Sequence, residues 1–148
     1  MSTRSIVAER TLNGWQGRYI HWDGYLTGVG EQLQIIAARD GAKQARKTLI
    51  HDHVSWSSIK SDATKLDAFD DPTRFSVVEG YGICHSDVPA DEQASWLLTD
   101  KDDHDWIEFL YHIEDDRIVC YQNQGGEFVE IESKPLAEVA LWLKEIKV

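Results

Sequence analysis

The chain contains little of what defines several common protein classes. Its 148 residues include only two cysteines, three prolines and one methionine. Cys84 and Cys120 lie far apart in the sequence, so they do not suggest the dense disulfide framework of small secreted domains. The start Met1-Ser2-Thr3-Arg4 also lacks the apolar run of a secretory signal. We therefore predict two buried thiols and a reduced, cytoplasmic setting.

The chain also lacks long apolar runs and an excess of positive charge. No stretch approaches the roughly 18 apolar residues of a membrane span, so no membrane association is expected. The formal net charge is −11, from 26 acidic and 15 basic residues. Direct binding to nucleic acid needs clustered Lys and Arg, so this charge argues against it. An acidic surface keeps a protein soluble and can also favour a basic partner.

What the chain does contain is enough apolar and aromatic material for a core. Hydrophobic residues make up 42% of it, with six Trp, five Tyr and four Phe. At this length, residues 1–148 are expected to form a single domain with its own hydrophobic core.

Hydrophobic periodicity and turn residues predict an α+β domain with a mainly antiparallel sheet of about five to seven strands. Two helices follow the first hairpin, and a third lies at the C-terminus. The predicted strands are Thr3–Arg10, Gly17–Trp22, Phe75–Cys84, Ser95–Leu98, Trp106–Ile113, Arg117–Gln122 and Glu127–Ile131. The predicted helices are Glu31–Arg39, Ala42 to about His51, and about Pro135 to Lys147.

The segment from Tyr19 to Gly30 combines a histidine, an aspartate, aromatic residues and three glycines between a predicted strand and a predicted helix. Its core reads His21-Trp22-Asp23-Gly24-Tyr25. With the Thr3-Arg4-Ser5 start, this block resembles a family of small proteins of bacteriophages and actinobacteria that has no established activity. Relatives commonly have Pro after the Asp-Gly-Tyr, where this chain has Leu26. The resemblance implies a phage or prophage origin and no mechanism.

The same segment is the candidate binding site. A strand, a glycine loop and a helix in this order can offer free backbone N–H groups to an anion. Arg4 and Arg18 could supply countercharge, while His21 and Asp23, predicted on one face of the strand, could share a ligand or exchange a proton. The alternative is a tight turn at a helix start. The candidate binding residues are Arg4, Arg18, His21, Asp23, Tyr25, Gly28 and Gly30.

Metal and cofactor sites are not predicted. The segment His51-Asp52-His53, and Cys84-His85 with Asp87, contain ligand-type residues, but neither has the spaced pairs typical of zinc sites. The glycine loop matches neither the P-loop nor the dinucleotide fingerprint.

These observations favour a cytoplasmic, phage-type accessory protein that is not an enzyme and that binds a small anionic ligand or a host protein. One alternative is a small hydrolase or nucleotide-processing enzyme that uses His21 and Asp23. Another is an acidic protein whose surface binds a basic host partner.

Overall fold

Nine strands and two α-helices make up most of the regular structure in the part of the chain that is described. The structure is a computed structural model, and it describes residues 3–12, 14–99 and 105–137. The strands are β1 (Ser5–Thr11), β2 (Gly14–Ile20), β3 (Trp56–Ile59), β4 (Phe75–Val78), β5 (Gly82–His85), β6 (Leu97–Thr99), β7 (Phe109–Ile113), β8 (Arg117–Gln124) and β9 (Glu127–Pro135). The helices are α1 (Glu31–Asp40) and α2 (Ala42–Arg46), with π-helical turns at Leu26–Gly30 and Lys47–His51 and a 3₁₀ helix at Ala90–Trp96.

The strands form one mixed sheet in the order β4-β5-β3-β2-β1-β7-β8-β9, with β6 paired to β2 beside this path. The pairs β1–β7 and β2–β3 are parallel. The other described pairs are antiparallel. Parallel neighbours need a long crossover, and α1 and α2 lie in the crossover from β2 to β3.

The α+β class is confirmed, but the sheet is larger than predicted. The described residues form nine strands where five to seven were expected, and the sheet is mixed where it was expected to be mainly antiparallel. The predicted strand Phe75–Cys84 is a hairpin, β4 and β5, because Gly80 has a φ of +77° and turns the chain. Strand β3 lies in a region rich in Ser and Asp, where alternation gave no clear signal.

The two helices after the first hairpin form where they were predicted, with the second continuing as a π-helical turn to His51. The C-terminal helix begins where it was predicted, at about Pro135, since β9 ends at that residue and residues 136 and 137 are helical. Residues 138–148, most of that predicted helix, lie outside the described residues. None of the described helices has the length and apolar composition needed to cross a membrane.

The sheet has two different faces, because neighbouring side chains of a strand point to opposite sides. The face against α1 and α2 carries the main core, in which Val7, Ile20, Trp56 and Tyr111 pack with helix residues such as Leu33. The opposite face, which we call the far face, carries a second cluster. Its buried members are Ile6, Ala8, Ile107 and Leu110, and Trp15, Tyr19, Leu98, Tyr121 and Phe128 pack against them.

His112 is a buried titratable group on the far face. It is 7% exposed, and its ring meets Trp15 edge-on at 4.7 Å between centroids. Burial, together with the positive charges of Arg10 and Arg46, lowers the pKa of His112 to about 4. Its Nδ1 lies 3.5 Å from a Glu114 carboxylate oxygen but makes no hydrogen bond to it. His112 is therefore neutral at pH 7, and this contact is not an ion pair.

We predict that His112 makes the protein less stable in mild acid. The unfolded chain binds this proton near the ordinary histidine pKa of about 6.5, whereas the folded protein binds it only near the lowered value. Stability is therefore complete above the unfolded pKa and decreases as the pH falls toward the folded pKa, by about 3 kcal/mol in total. Urea unfolding of wild type and His112→Phe at several pH values measures this. A smaller loss in the variant is expected, and equal losses would contradict it.

Candidate functional site

The predicted glycine loop is a tightly bonded helix start. His21 and Trp22 continue the parallel pairing with β3, their N–H groups donating to the carbonyls of Trp56 and Ser57 at 3.0 Å. Asp23 then turns the chain with a φ of +56°, and the Gly24 N–H donates to the Thr3 carbonyl at 2.9 Å. The chain enters α1 through the π-helical turn Leu26–Gly30.

Three N–H groups of this loop are already used by the chain itself. The Gly28 and Gly30 N–H groups donate to the Tyr25 carbonyl at 3.0 and 3.4 Å. The Val29 N–H donates to the Asp23 carbonyl at 2.8 Å. These amides are not free to hold an anion, so the geometry favours the alternative reading of the loop as a tight turn.

Gly28 is needed here for space, and Gly30 is closely packed. A Cβ on Gly28 would overlap the Asp23 carbonyl oxygen, which is fixed backbone. A Cβ on Gly30 would lie 3.2 Å from the Tyr111 ring. Tyr111 is itself held beneath the loop, since its hydroxyl donates to the Gly24 carbonyl at 2.6 Å.

Asp23 and Tyr25 lie together on the outer side of the loop. The Tyr25 hydroxyl donates to Asp23 Oδ1 at 3.1 Å, and this bond raises the pKa of Tyr25. Both residues line an open cleft of about 270 Å³ with Trp22, Lys60 and Asp62.

Arg18 does not join them. Its Nε donates to the Ile50 carbonyl at 2.8 Å, and its Nη1 donates to the Gln93 carbonyl at 3.3 Å. Burial lowers its pKa. The guanidinium therefore ties β2 to the end of the helical segment and to the 3₁₀ helix, which is a structural use.

Arg4 and His21 come together with Tyr19 on the far face. The Tyr19 hydroxyl and His21 Nδ1 are 2.5 Å apart. Burial, and secondarily the charge of Arg4, lowers the pKa of His21, whereas burial raises the pKa of Tyr19 against the opposing effect of Arg4. Neutral His21 can thus accept the Tyr19 proton at Nδ1, which leaves its Nε2 as a donor.

The expected pairing of His21 with Asp23 is not seen in the structure. His21 bonds to Tyr19, while Asp23, turned away by its positive φ, bonds to Tyr25. This geometry does not support a proton-transfer pair made of these two residues.

A second histidine, His85, which is not among the candidate binding residues, lies within the electrostatic influence of His21. His85 Nδ1 is 2.9 Å from the buried Ser55 hydroxyl, and the Trp96 ring lies 5.7 Å from the His85 ring. Burial is the largest cause of its lowered pKa, and the charge of His21 contributes to the same effect. We call Arg4, Tyr19, His21, Ser55 and His85 the histidine cluster.

Aromatic side chains surround the histidine cluster. The Trp22 ring meets His21 edge-on at 4.5 Å, and the Trp106 ring lies 5.0 Å from that of Tyr19. Trp22 and Trp106 are 45% and 42% exposed. Such partly exposed rings beside polar groups are typical of ligand sites.

The Cys84-His85-Asp87 segment is divided by strand geometry. His85 joins the far-face cluster, while Cys84 packs in the main core on the helix side. Among the residues that the structure describes, no group of three or more His, Cys, Asp or Glu side chains is placed to hold a metal ion.

Comparison with known proteins gives no family to which the chain can be assigned. No protein-family model, no curated protein and no solved structure matches it.

We predict that Gly28→Ala destabilises the protein and that Gly30→Ala does so much less. The first variant forces a methyl group against backbone, which typically costs about 1–3 kcal/mol. The second gains helix propensity and meets only the edge of the Tyr111 ring. Chemical denaturation of the two variants measures the difference. Equal stabilities would contradict a steric role for Gly28.

Proposed function

We propose that the protein is a non-enzymatic binding protein that takes a small anionic ligand at the histidine cluster. The observation that carries this proposal is the bond between the Tyr19 hydroxyl and His21 Nδ1. We infer that the hydroxyl donates to Nδ1 of a neutral imidazole, which leaves the proton of the ring on Nε2, an atom with no hydrogen bond within the described residues.

The charge of Arg4 makes this donor suitable for an anion. Arg4 is exposed, and its charge influences both Tyr19 and His21. Hydrogen bonds to an ionised acceptor are stronger than those between neutral groups. The net charge of −11 opposes anion binding, although physiological salt screens exposed charges beyond about 8 Å. Glu108 lies next to Arg4 across the β1–β7 pairing, so the proposed site depends on the direct hydrogen bonds from Arg4 and His21 to the anion.

The biological setting is part of the same proposal. The His21-Trp22-Asp23-Gly24-Tyr25 block suggests a phage-type accessory protein. The acidic composition fits a cytoplasmic protein that does not bind nucleic acid directly. Catalysis by His21 and Asp23 receives no support from their positions, because each bonds to another residue.

A host protein is the second candidate partner, and the cleft beside Asp23 favours it. Trp22 and Tyr25, 45% and 42% exposed, flank the carboxylates of Asp23 and Asp62. Aromatic faces and carboxylates together suit a Lys or Arg side chain. In this case the partner would bind the cleft and not the histidine cluster.

Titration with inorganic sulfate tests the anion site. Sulfate does not change its protonation between about pH 6 and about pH 8, so any pH dependence comes from the protein. We expect affinity to rise as the pH falls, because a bound anion favours the imidazolium of His21 and raises its pKa. Arg4→Gln should weaken binding about tenfold, the equivalent of one charge-assisted hydrogen bond.

Arg117→Gln is the matched control, since it removes the same charge from the opposite end of the sheet, at the β7–β8 turn. It should leave sulfate affinity unchanged. His21→Gln keeps a donor but cannot titrate, so it should reduce the pH dependence. Equal weakening by Arg4→Gln and Arg117→Gln would contradict a specific anion site.

A further inference from the structure

A partly open, mainly apolar cavity of about 170 Å³ lies on the far face beside the histidine cluster. Its floor is formed by Ile6, Ala8 and Leu110, and its walls include Trp15, Leu98 and Phe128. The three floor residues are at most 2% exposed. These side chains present carbon atoms and one indole group to the cavity.

The register of the central strands explains why space remains here. Ala8 and Gly17 stand opposite each other in β1 and β2, so two small residues meet where their neighbours on this face, Ile6 and Tyr19, are large. A Cβ on Gly17 would overlap the Ile6 side chain and approach the Val7 carbonyl oxygen to 2.5 Å. The close approach of the Val7 backbone therefore requires glycine at position 17. Because glycine has no side chain, space remains there on the far face.

The Trp15 wall is fixed by its own contacts. The Arg10 guanidinium lies 3.9 Å from the centre of the Trp15 ring, and the Tyr121 ring meets it at 5.3 Å. A cation–π contact and an edge-to-face aromatic pair both stabilise one ring orientation. The wall is therefore held open and cannot easily collapse into the space.

A cavity with this apolar lining favours an apolar ligand over water. Protein interiors are close-packed, so an apolar void of this size loses many contacts. An engineered apolar cavity of about 150 Å³ in another protein stays dry and binds benzene. The present cavity is slightly larger and is open on one side, which allows entry.

We propose that this cavity binds an apolar group about the size of a benzene ring, and that the natural ligand is an anion carrying such a group. The second part rests on the proposed function. Arg4, which directly precedes β1, and Ile6 are successive positions on the far face, as are Tyr19 and Gly17 on β2. His21 and Gly17 are four residues apart, so the anionic and apolar parts of the ligand lie about 13 Å apart along the strand.

Toluene is the probe for the cavity, because it is apolar and uncharged. We expect it to raise the Tm of the wild-type protein and to shift the NMR signal of the Trp15 indole N–H. Ala8→Leu places a larger side chain in the cavity and should abolish both effects. Ala68→Leu makes the same change at an exposed loop position and should keep them.

Leu98→Ala gives a second test if Ala8→Leu does not fold. It enlarges the cavity, and naphthalene should then produce the Trp15 shift that it does not produce in wild type. Absence of any toluene effect on wild type, or its persistence in folded Ala8→Leu, would overturn the cavity proposal. Toluene binding without sulfate binding would leave the cavity intact and refute the anion site, and the reverse result would refute the cavity alone.

Discussion

The alternation of side chains along the paired strands β1 and β2 is the constraint on which the rest of the structure depends. These two strands lie at the centre of the sheet, and each residue must point to one face or the other. Val7 and Ile20 thereby enter the main core under the helices. Ile6 and Tyr19 enter the second cluster on the far face. A one-residue slip would exchange the two sets, so burial of the main core fixes what the far face displays.

The two features that we connect with function both follow from that register. Tyr19 and His21 are alternate residues of one chain segment, which places the phenol hydroxyl within bonding distance of the imidazole. Ala8 and Gly17 stand opposite each other at the next far-face position along the paired strands, and their small size leaves the cavity there. The glycine loop supports the same arrangement, because the bond from the Gly24 N–H to the Thr3 carbonyl anchors the end of β2 next to the start of β1.

The local parts of this arrangement could be predicted from the sequence, and the long-range parts could not. Periodicity indicated the first hairpin, α1 and the strand pair β7–β8. Nothing local indicates that β1 pairs in parallel with β7, or that His85 bonds to Ser55 within the electrostatic influence of His21, since these depend on tertiary register. The His21–Asp23 expectation assumed a strand through position 23, but Asp23 adopts a φ of +56° and points its carboxylate toward Tyr25.

The central claim is that a neutral His21 is held by Tyr19 with its Nε2 free to donate to a ligand. Nitrogen-15 NMR of the histidine rings across a pH titration measures this directly, because it distinguishes the two neutral tautomers from the imidazolium. We predict that His21 is protonated at Nε2 at neutral pH and titrates below the ordinary histidine pKa of about 6.5. A His21 that is protonated at Nδ1, or that is already charged at neutral pH, would contradict it.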